Sequence, residues 1–155
     1  PRRVVRPRRG GVSARRPLHL RWTSIVLVVL GGTAGTLLRY LLSLAIPDWN
    51  GIPLGIFVIN VTGAFALGWL LEGLARSGPD EGARRHARLL VGTGVLGGYT
   101  TYSTFAVGTD GLLLASQFEL SAAYGLATVL VGAAASVAGV AAGAVWARHR
   151  GRARS

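Results

Sequence analysis

Gly94-Val95-Leu96-Gly97-Gly98-Tyr99-Thr100-Thr101-Tyr102-Ser103-Thr104-Phe105 sets a glycine pair and a cluster of hydroxyl side chains inside a long apolar segment. A helix crossing hydrocarbon should not carry such a run. Backbone freed from its helical bonds at membrane depth is tolerated only where it is buried in protein or lines a polar cavity. The run therefore predicts either a broken helix at an ion site or no membrane segment at all. The rest of the chain decides between these.

The 155 residues are half hydrophobic, with only 15% charged and a mean hydropathy of +0.44. Between Trp22 and Leu74 the charges are Arg39, Asp48 and Glu72; between Leu89 and Ala147 they are Asp110 and Glu119. Uncharged apolar stretches of about 20 residues mark spanning helices. The composition points to an all-α integral membrane protein. No cysteine is present, which excludes disulfide and thiol chemistry. All 17 cationic residues are arginines, set against six acids. A net charge of +11 in a soluble protein would suggest nucleic acid. Here the arginines flank apolar spans, so anionic lipid headgroups are the expected partner and nucleic acid is not.

Residues 1–21 hold eight arginines and three prolines and are expected to be a disordered basic arm. The proline at position 1 suggests a trimmed sequence. A basic stretch before an apolar run resembles a signal peptide, with Ser43-Leu44-Ala45 as a possible cleavage site. The run is too long for such a leader, however, and Arg39 interrupts it. The expected spans are 22–46, 52–74, 89–116 and 121–146, with 148–155 as a basic tail. The domain at 22–147 is thus a four-helix membrane unit whose third helix is broken at Gly97 to Thr101. Small residues at Gly31 to Gly35, at Gly63 and Gly68, and at Gly125, Gly132, Gly139 and Gly143 allow close helix approach.

The spans hold neutral donors rather than titrating groups: Asn60, Thr100, Thr101, Tyr102, Ser103, Thr104, Tyr124 and Thr128. Such groups can replace an anion's hydration shell without holding it so tightly that it stalls. Asn60 reads either as a helix–helix bond or as a donor facing a pore. Arg39, roughly 25 Å along the first helix from Trp22, reads as a snorkelling side chain or as a cation in a vestibule that attracts anions. Tyr102 and Phe105 share a helical face, as core packing or as two ring edges offered to an anion. The histidines lie in tails and a loop, no metal-ligand cluster occurs, and no nucleophile has a base in the spans, so no enzyme activity is expected. A proton-coupled multidrug-type exporter needs an ionisable relay in mid-span, and none is present.

Three stretches, on successive spans, resemble the signatures of the Fluc (CrcB) family of fluoride channels. They are Gly31 to Tyr40, Pro53 to Phe65, and Gly94 to Phe105. The resemblance covers about 22–147. It implies passive export of fluoride from the cytoplasm across the plasma membrane, the inner membrane of the cell. It also implies an antiparallel, dual-topology-type dimer with two narrow pores and a central structural sodium ion that is not transported. By motif, Asn60 matches the pore asparagine, and Tyr102 and Phe105 match two phenylalanines whose edges contact fluoride. The backbone carbonyls of Gly97 and Thr100 match the sodium ligands. Tyr124 and Thr128 match fourth-helix pore positions, Arg39 matches the arginine of the first motif, and Thr101, Ser103 and Thr104 complete the fluoride pathway. The chain departs from the pattern at Tyr102, at Gly108, where many members have glutamate, and at Gly132, a turn that is often polar. Alternative readings are a small-solute exporter of the same size and a non-conducting partner subunit.

Charge adds an expectation about orientation. The N-terminal arm, the 75–88 loop and the tail hold eight, four and four arginines, 16 of the 17, all on one side of the expected fold. A bias of this size sets a single orientation, with cytoplasmic termini. The expected partner is then either a second copy or, given the bias, an oppositely oriented paralogue.

Overall fold

The computed structural model describes residues 22–152. The basic arm expected over 1–21, and the last three residues of the tail, lie outside the described residues. Within them the chain is helical, as the composition requires. Helix α1 covers Trp22–Ala45 and α2 Leu54–Arg76. A helical rod follows, made of α3 (Gly82–Ala87), a π-helical stretch (Arg88–Leu96) and α4 (Gly97–Tyr99). Non-helical residues 100–102 separate it from α5 (Ser103–Leu114), and α6 (Phe118–Arg152) closes the described chain.

Helices α1, α2 and α6 are long and apolar enough to cross a membrane. Their outward faces are apolar too: Val29, Leu30, Leu130 and Val137 are each more than half exposed. An exposed apolar face of this kind belongs to a helix solvated by lipid. The expected third span is divided between the rod and α5, so no unbroken helix represents it. Three boundaries differ from the sequence reading. The polar loop expected at 75–88 shrinks to 77–81, because α2 runs to Arg76 and the rod begins at Gly82. The link expected at 117–120 lies at 115–117 instead, with Glu119 in the first turn of α6, where the helix dipole favours an acid. The last helix continues past Trp146 to Arg152, so the basic tail begins as helix.

Two backbone-to-backbone contacts fix the arrangement. A Cβ on Gly31 would strike the Leu90 carbonyl and lie 2.9 Å from Gly94 Cα, and one on Gly35 would strike the Val95 carbonyl. Likewise a Cβ on Gly139 would strike the Phe65 carbonyl, and one on Gly143 would lie 2.6 Å from the Trp69 carbonyl. In each pair the residue numbers rise together, so α1 runs parallel to the rod and α2 parallel to α6. The start of α1, the 77–81 loop and the end of α6 therefore share one end of the bundle.

The other end carries two tight links. Trp49 and Ile52 exchange both backbone bonds, N to O at 3.0 and 2.9 Å. Asn50 and Gly51 between them have φ of 51° and 81°. This is the Asn-Gly turn with two left-handed residues that suits a right-twisted hairpin. At the second link, Gln117 N–H donates to the Leu112 carbonyl and Ser116 N–H to the Leu113 carbonyl, both at 2.9 Å. That is a Schellman ending, with Ser116 at φ 60° in the place usually given to glycine. On the arginine-rich side, Asp80 binds Arg88 through both oxygens, at 3.1 and 2.6 Å. This hydrogen bonding holds the Asp80 carboxyl below its usual range. Its contribution is present at neutral pH and is lost as pH falls through that lowered value.

Ser116→Gly should raise stability by up to about 1 kcal/mol, because it removes a side chain from the left-handed region. Ser116→Val should lower it by a similar amount. Thermal unfolding in detergent, followed by circular dichroism, would read both.

Candidate functional site at the helix break

The break is built from Thr100 to Tyr102, and the backbone groups freed at Thr101 find new partners. Thr100 closes the rod: its N–H and its hydroxyl both donate to the Leu96 carbonyl, at 3.0 and 2.9 Å. Its own backbone is extended, with φ −76° and ψ 153°. In a continuous helix Thr101 N–H would next donate to the Gly97 carbonyl. It donates instead to Asn60 Oδ1 at 2.8 Å, while Asn60 Nδ2 donates to the Thr101 carbonyl at 2.9 Å. One carboxamide on α2 thus replaces both helical bonds of a buried residue.

The buried Thr101 hydroxyl then starts the next helix. Its oxygen accepts from Thr104 N–H at 3.2 Å, which is N-cap chemistry at α5. It also contacts Ser103 Oγ and Thr104 Oγ1, each at 3.2 Å. The regular ladder resumes with Ala106 N–H donating to the Tyr102 carbonyl at 2.8 Å. Neighbouring helices fasten the rod above the break. Thr62 and Tyr99 pair their hydroxyls at 2.9 Å, and the Thr36 hydroxyl reaches the Gly98 carbonyl at 3.4 Å. Gly63 leaves the room that the Thr100 methyl occupies.

Beside the break runs a row of three aromatic rings. Tyr102 and Phe105 have centroids 6.0 Å apart at 51°, and Phe105 and Tyr124 have centroids 5.7 Å apart at 38°. Tyr102 stands at the outer end, 80% exposed, and Tyr124 at the inner end is buried. Among the described residues the Tyr124 hydroxyl has no hydrogen-bond partner. A buried hydroxyl without a partner costs free energy unless something else satisfies it. A cleft of about 470 Å³ gathers Asn60, Gly97, Thr100, Thr101, Tyr102, Phe105 and Thr128.

Most of the residues read from the sequence therefore meet at one place. Ser103 and Thr104 sit exposed on the first turn of α5, bonded to Thr101. Arg39 is half-buried on α1 and does not line the cleft. For Asn60 the structure favours the reading of a helix–helix bond, with one Nδ2 proton remaining for another acceptor. The Thr128 hydroxyl donates to the Tyr124 carbonyl at 2.7 Å, so its proton is engaged within α6. The sequence reading did not single out Thr62, Tyr99 or Thr36, whose hydroxyls are ordinary in composition and gain meaning only from their partners. It also did not foresee the π-helical stretch, which shifts the rod's register just before the break.

The profile of the family described as CrcB-like protein, Camphor Resistance (CrcB), matches residues 26–140. The chain is 56% identical to the Fluoride-specific ion channel FluC 2 of Leifsonia xyli subsp. xyli, across 87% of this chain and 93% of that protein. It is 44% identical to FluC 1 of Cutibacterium acnes, across 81% of this chain and 85% of the relative. Against the Fluoride-specific ion channel FluC of Oceanobacillus iheyensis the identity is 36%, across 76% and 88%.

Asn60→Ala leaves the Thr101 N–H and C=O without partners and should cost about 2–4 kcal/mol. Asn60→Asp, which keeps an acceptor but sets a carboxylate oxygen against the Thr101 carbonyl, should cost at least as much as Asn60→Ala. Thr101→Val should cost about 1 kcal/mol through the lost cap, and Thr101→Ser close to nothing. Chemical unfolding in mild detergent would rank the four variants.

Proposed function

The chain belongs to the CrcB-like family, and on that basis we propose that it is a subunit of a fluoride-specific channel of the cell membrane. The observation that carries this reading is the Asn60-clasped break with the Tyr102–Phe105–Tyr124 row beside it. Fluoride is small and strongly hydrated, so a path for it must offer donors without a fixed counter-charge. The second Nδ2 proton of Asn60 and the Phe105 ring edge offer such contacts in the cleft, and the Tyr124 hydroxyl lies behind Phe105. Among the described residues no fixed cation lines the cleft, so a passing anion is not trapped. Transport is passive, and the protein is not an enzyme. The path runs beside a fourth, interrupted span made of the rod and α5.

The same break suits a hard cation. Because Thr101 N–H has gone to Asn60, the Gly97 carbonyl has lost its helical donor, and the extended Thr100 turns its carbonyl out of the helical direction. Neutral backbone oxygens are fitting ligands for sodium. Two per chain make an incomplete set, and an antiparallel second chain would double it. In this reading the sodium ion is structural and Gly97 and Thr100 hold it.

Orientation and partner follow from charge. The start of α1, the 77–81 loop and the end of α6 share one end, which supports placing the arginine-rich end in the cytoplasm. A subunit so biased inserts one way, which favours pairing with an oppositely oriented paralogue over a dual-topology homodimer. The exposed Tyr102 gives some support to a second reading, a partner subunit that conducts only when another chain completes its pathway.

Liposomes holding the purified chain should release fluoride and retain chloride; equal passage of both ions would end the channel reading. Phe105→Ile, which keeps bulk and removes the ring edge, should slow fluoride release roughly tenfold. Release only after adding a second, oppositely biased chain would select the partner-subunit reading. Reporter fusions at the C-terminus should give cytoplasmic signal alone. Comparable signal from both sides would restore the homodimer.

A further inference from the structure

The arginine-rich end of the bundle holds a cavity of about 340 Å³, at the lower end of the size of small-molecule sites, about 300–1,000 Å³. It lies where α2, the start of the rod and α6 come together. Arg76, Arg84 and Arg150 line it, with Ser77, Leu74 and Trp146, and among the described residues no carboxylate does. Arg76 is bonded to Glu72, one turn back on α2. The other two guanidiniums are held in place by neutral groups. Arg84 Nε donates to the Pro79 carbonyl at 2.8 Å, and Arg150 stacks 4.1 Å from the centre of the Trp146 ring.

This separates them from their neighbours. Arg88 is paired with Asp80 at 2.6 Å, and the same carboxylate lies 3.9 Å from Arg85, so its one negative charge is already committed to these neighbours. Arg84 and Arg150 instead present positive charge from fixed planes, and a pre-organised guanidinium loses less entropy per hydrogen bond it makes to an oxyanion. Two planar forks around one volume suit the tetrahedral oxygens of a phosphate, while the Ser77 hydroxyl is engaged with the Gly73 carbonyl at 2.6 Å. The remaining walls are apolar. Leu74 and Trp146 lie at the ends of the spanning parts of α2 and α6, and tryptophan favours the headgroup level of a bilayer.

We propose that this cavity binds the phosphate headgroup of an anionic membrane phospholipid, with Arg84 and Arg150 on the phosphate and Leu74 and Trp146 against the glycerol region. A free phosphate ion has the same oxygens but nothing to place on the apolar walls. The lipid is therefore the fitting source, and the cavity acts as a specific site rather than as part of a diffuse basic surface.

Native mass spectrometry of the full-length protein, titrated with phosphatidylglycerol and separately with phosphatidylcholine, tests this. One phosphatidylglycerol per chain should be retained in preference to phosphatidylcholine. Arg84→Gln and Arg150→Gln should each weaken that retention about tenfold or more. Arg148→Gln removes the same charge from the same helix without touching the cavity, and should weaken it less than about twofold. Should Arg84→Gln lose helix content because its hold on the Pro79 carbonyl is gone, Arg150→Gln carries the same expectation. Equal losses in all three variants would mean a diffuse basic surface and overturn the site. So would the absence of any preference for phosphatidylglycerol. Displacement of the lipid by excess inorganic phosphate would replace the lipid with a soluble anion.

Discussion

The pair of hydrogen bonds between Asn60 and Thr101 is the constraint on which the rest of this structure depends. A helix cannot simply stop inside an apolar bundle, because each freed amide and carbonyl costs about 1–3 kcal/mol when buried without a partner. The Asn60 carboxamide has the donor–acceptor pattern of a peptide group and meets both needs at Thr101 from a neighbouring helix. Once it does, the chain can leave one helix and enter another with nothing left over at Thr101. The Gly97 carbonyl is released on one side of the break, and α5 sets off on the other with Phe105 one turn in.

The rest of the site follows from that geometry. The three rings stand in line because Tyr102 and Phe105 flank the start of α5, while α6 brings Tyr124 against Phe105. The two glycines beyond the break that the sequence reading took as departures from the resembled motif have different physical standing. A side chain at Gly108 would meet Pro53 at 2.7 Å, so the packing of α5 on the start of α2 explains the glycine there. Gly132 has open space around it, and nothing in the structure explains its lack of a side chain.

Much of this was legible in the sequence, and what was not has a physical cause. The break itself could be read because hydroxyls and paired glycines are conspicuous in apolar surroundings. The helices were legible from their length, and the small-residue faces from glycine spacing in part: Gly139 and Gly143 make the expected close approach on the last helix, but Gly125 and Gly132 do not. The role of Asn60 was not decided, since one amide in a span looks the same whether it faces a cavity or a neighbouring backbone. The break was placed slightly early, at Gly97 to Thr101, because glycines suggest loosened backbone. Here Gly97 and Gly98 remain helical, and Gly98 serves for close approach instead, against Gly32. The Schellman link escaped notice because it uses Ser116 in place of the glycine that signals one. Arg39 matched by motif, yet its place in the fold is decided by the roll of α1, which pattern alone does not reveal.

The contact of α1 with the rod has one more consequence. Most helix interfaces can be retuned by exchanging one side chain for another of similar volume, so they drift and adapt over many generations. At Gly31 and Gly35 the facing surface is main chain, and there is no side chain on either side to trade. Every single-nucleotide change at these two codons that alters the amino acid enlarges it. The interface is therefore inherited as found or lost outright. Adaptation in this protein must come from elsewhere, along the lipid-facing flanks and the basic ends, where residues can change without moving the backbone.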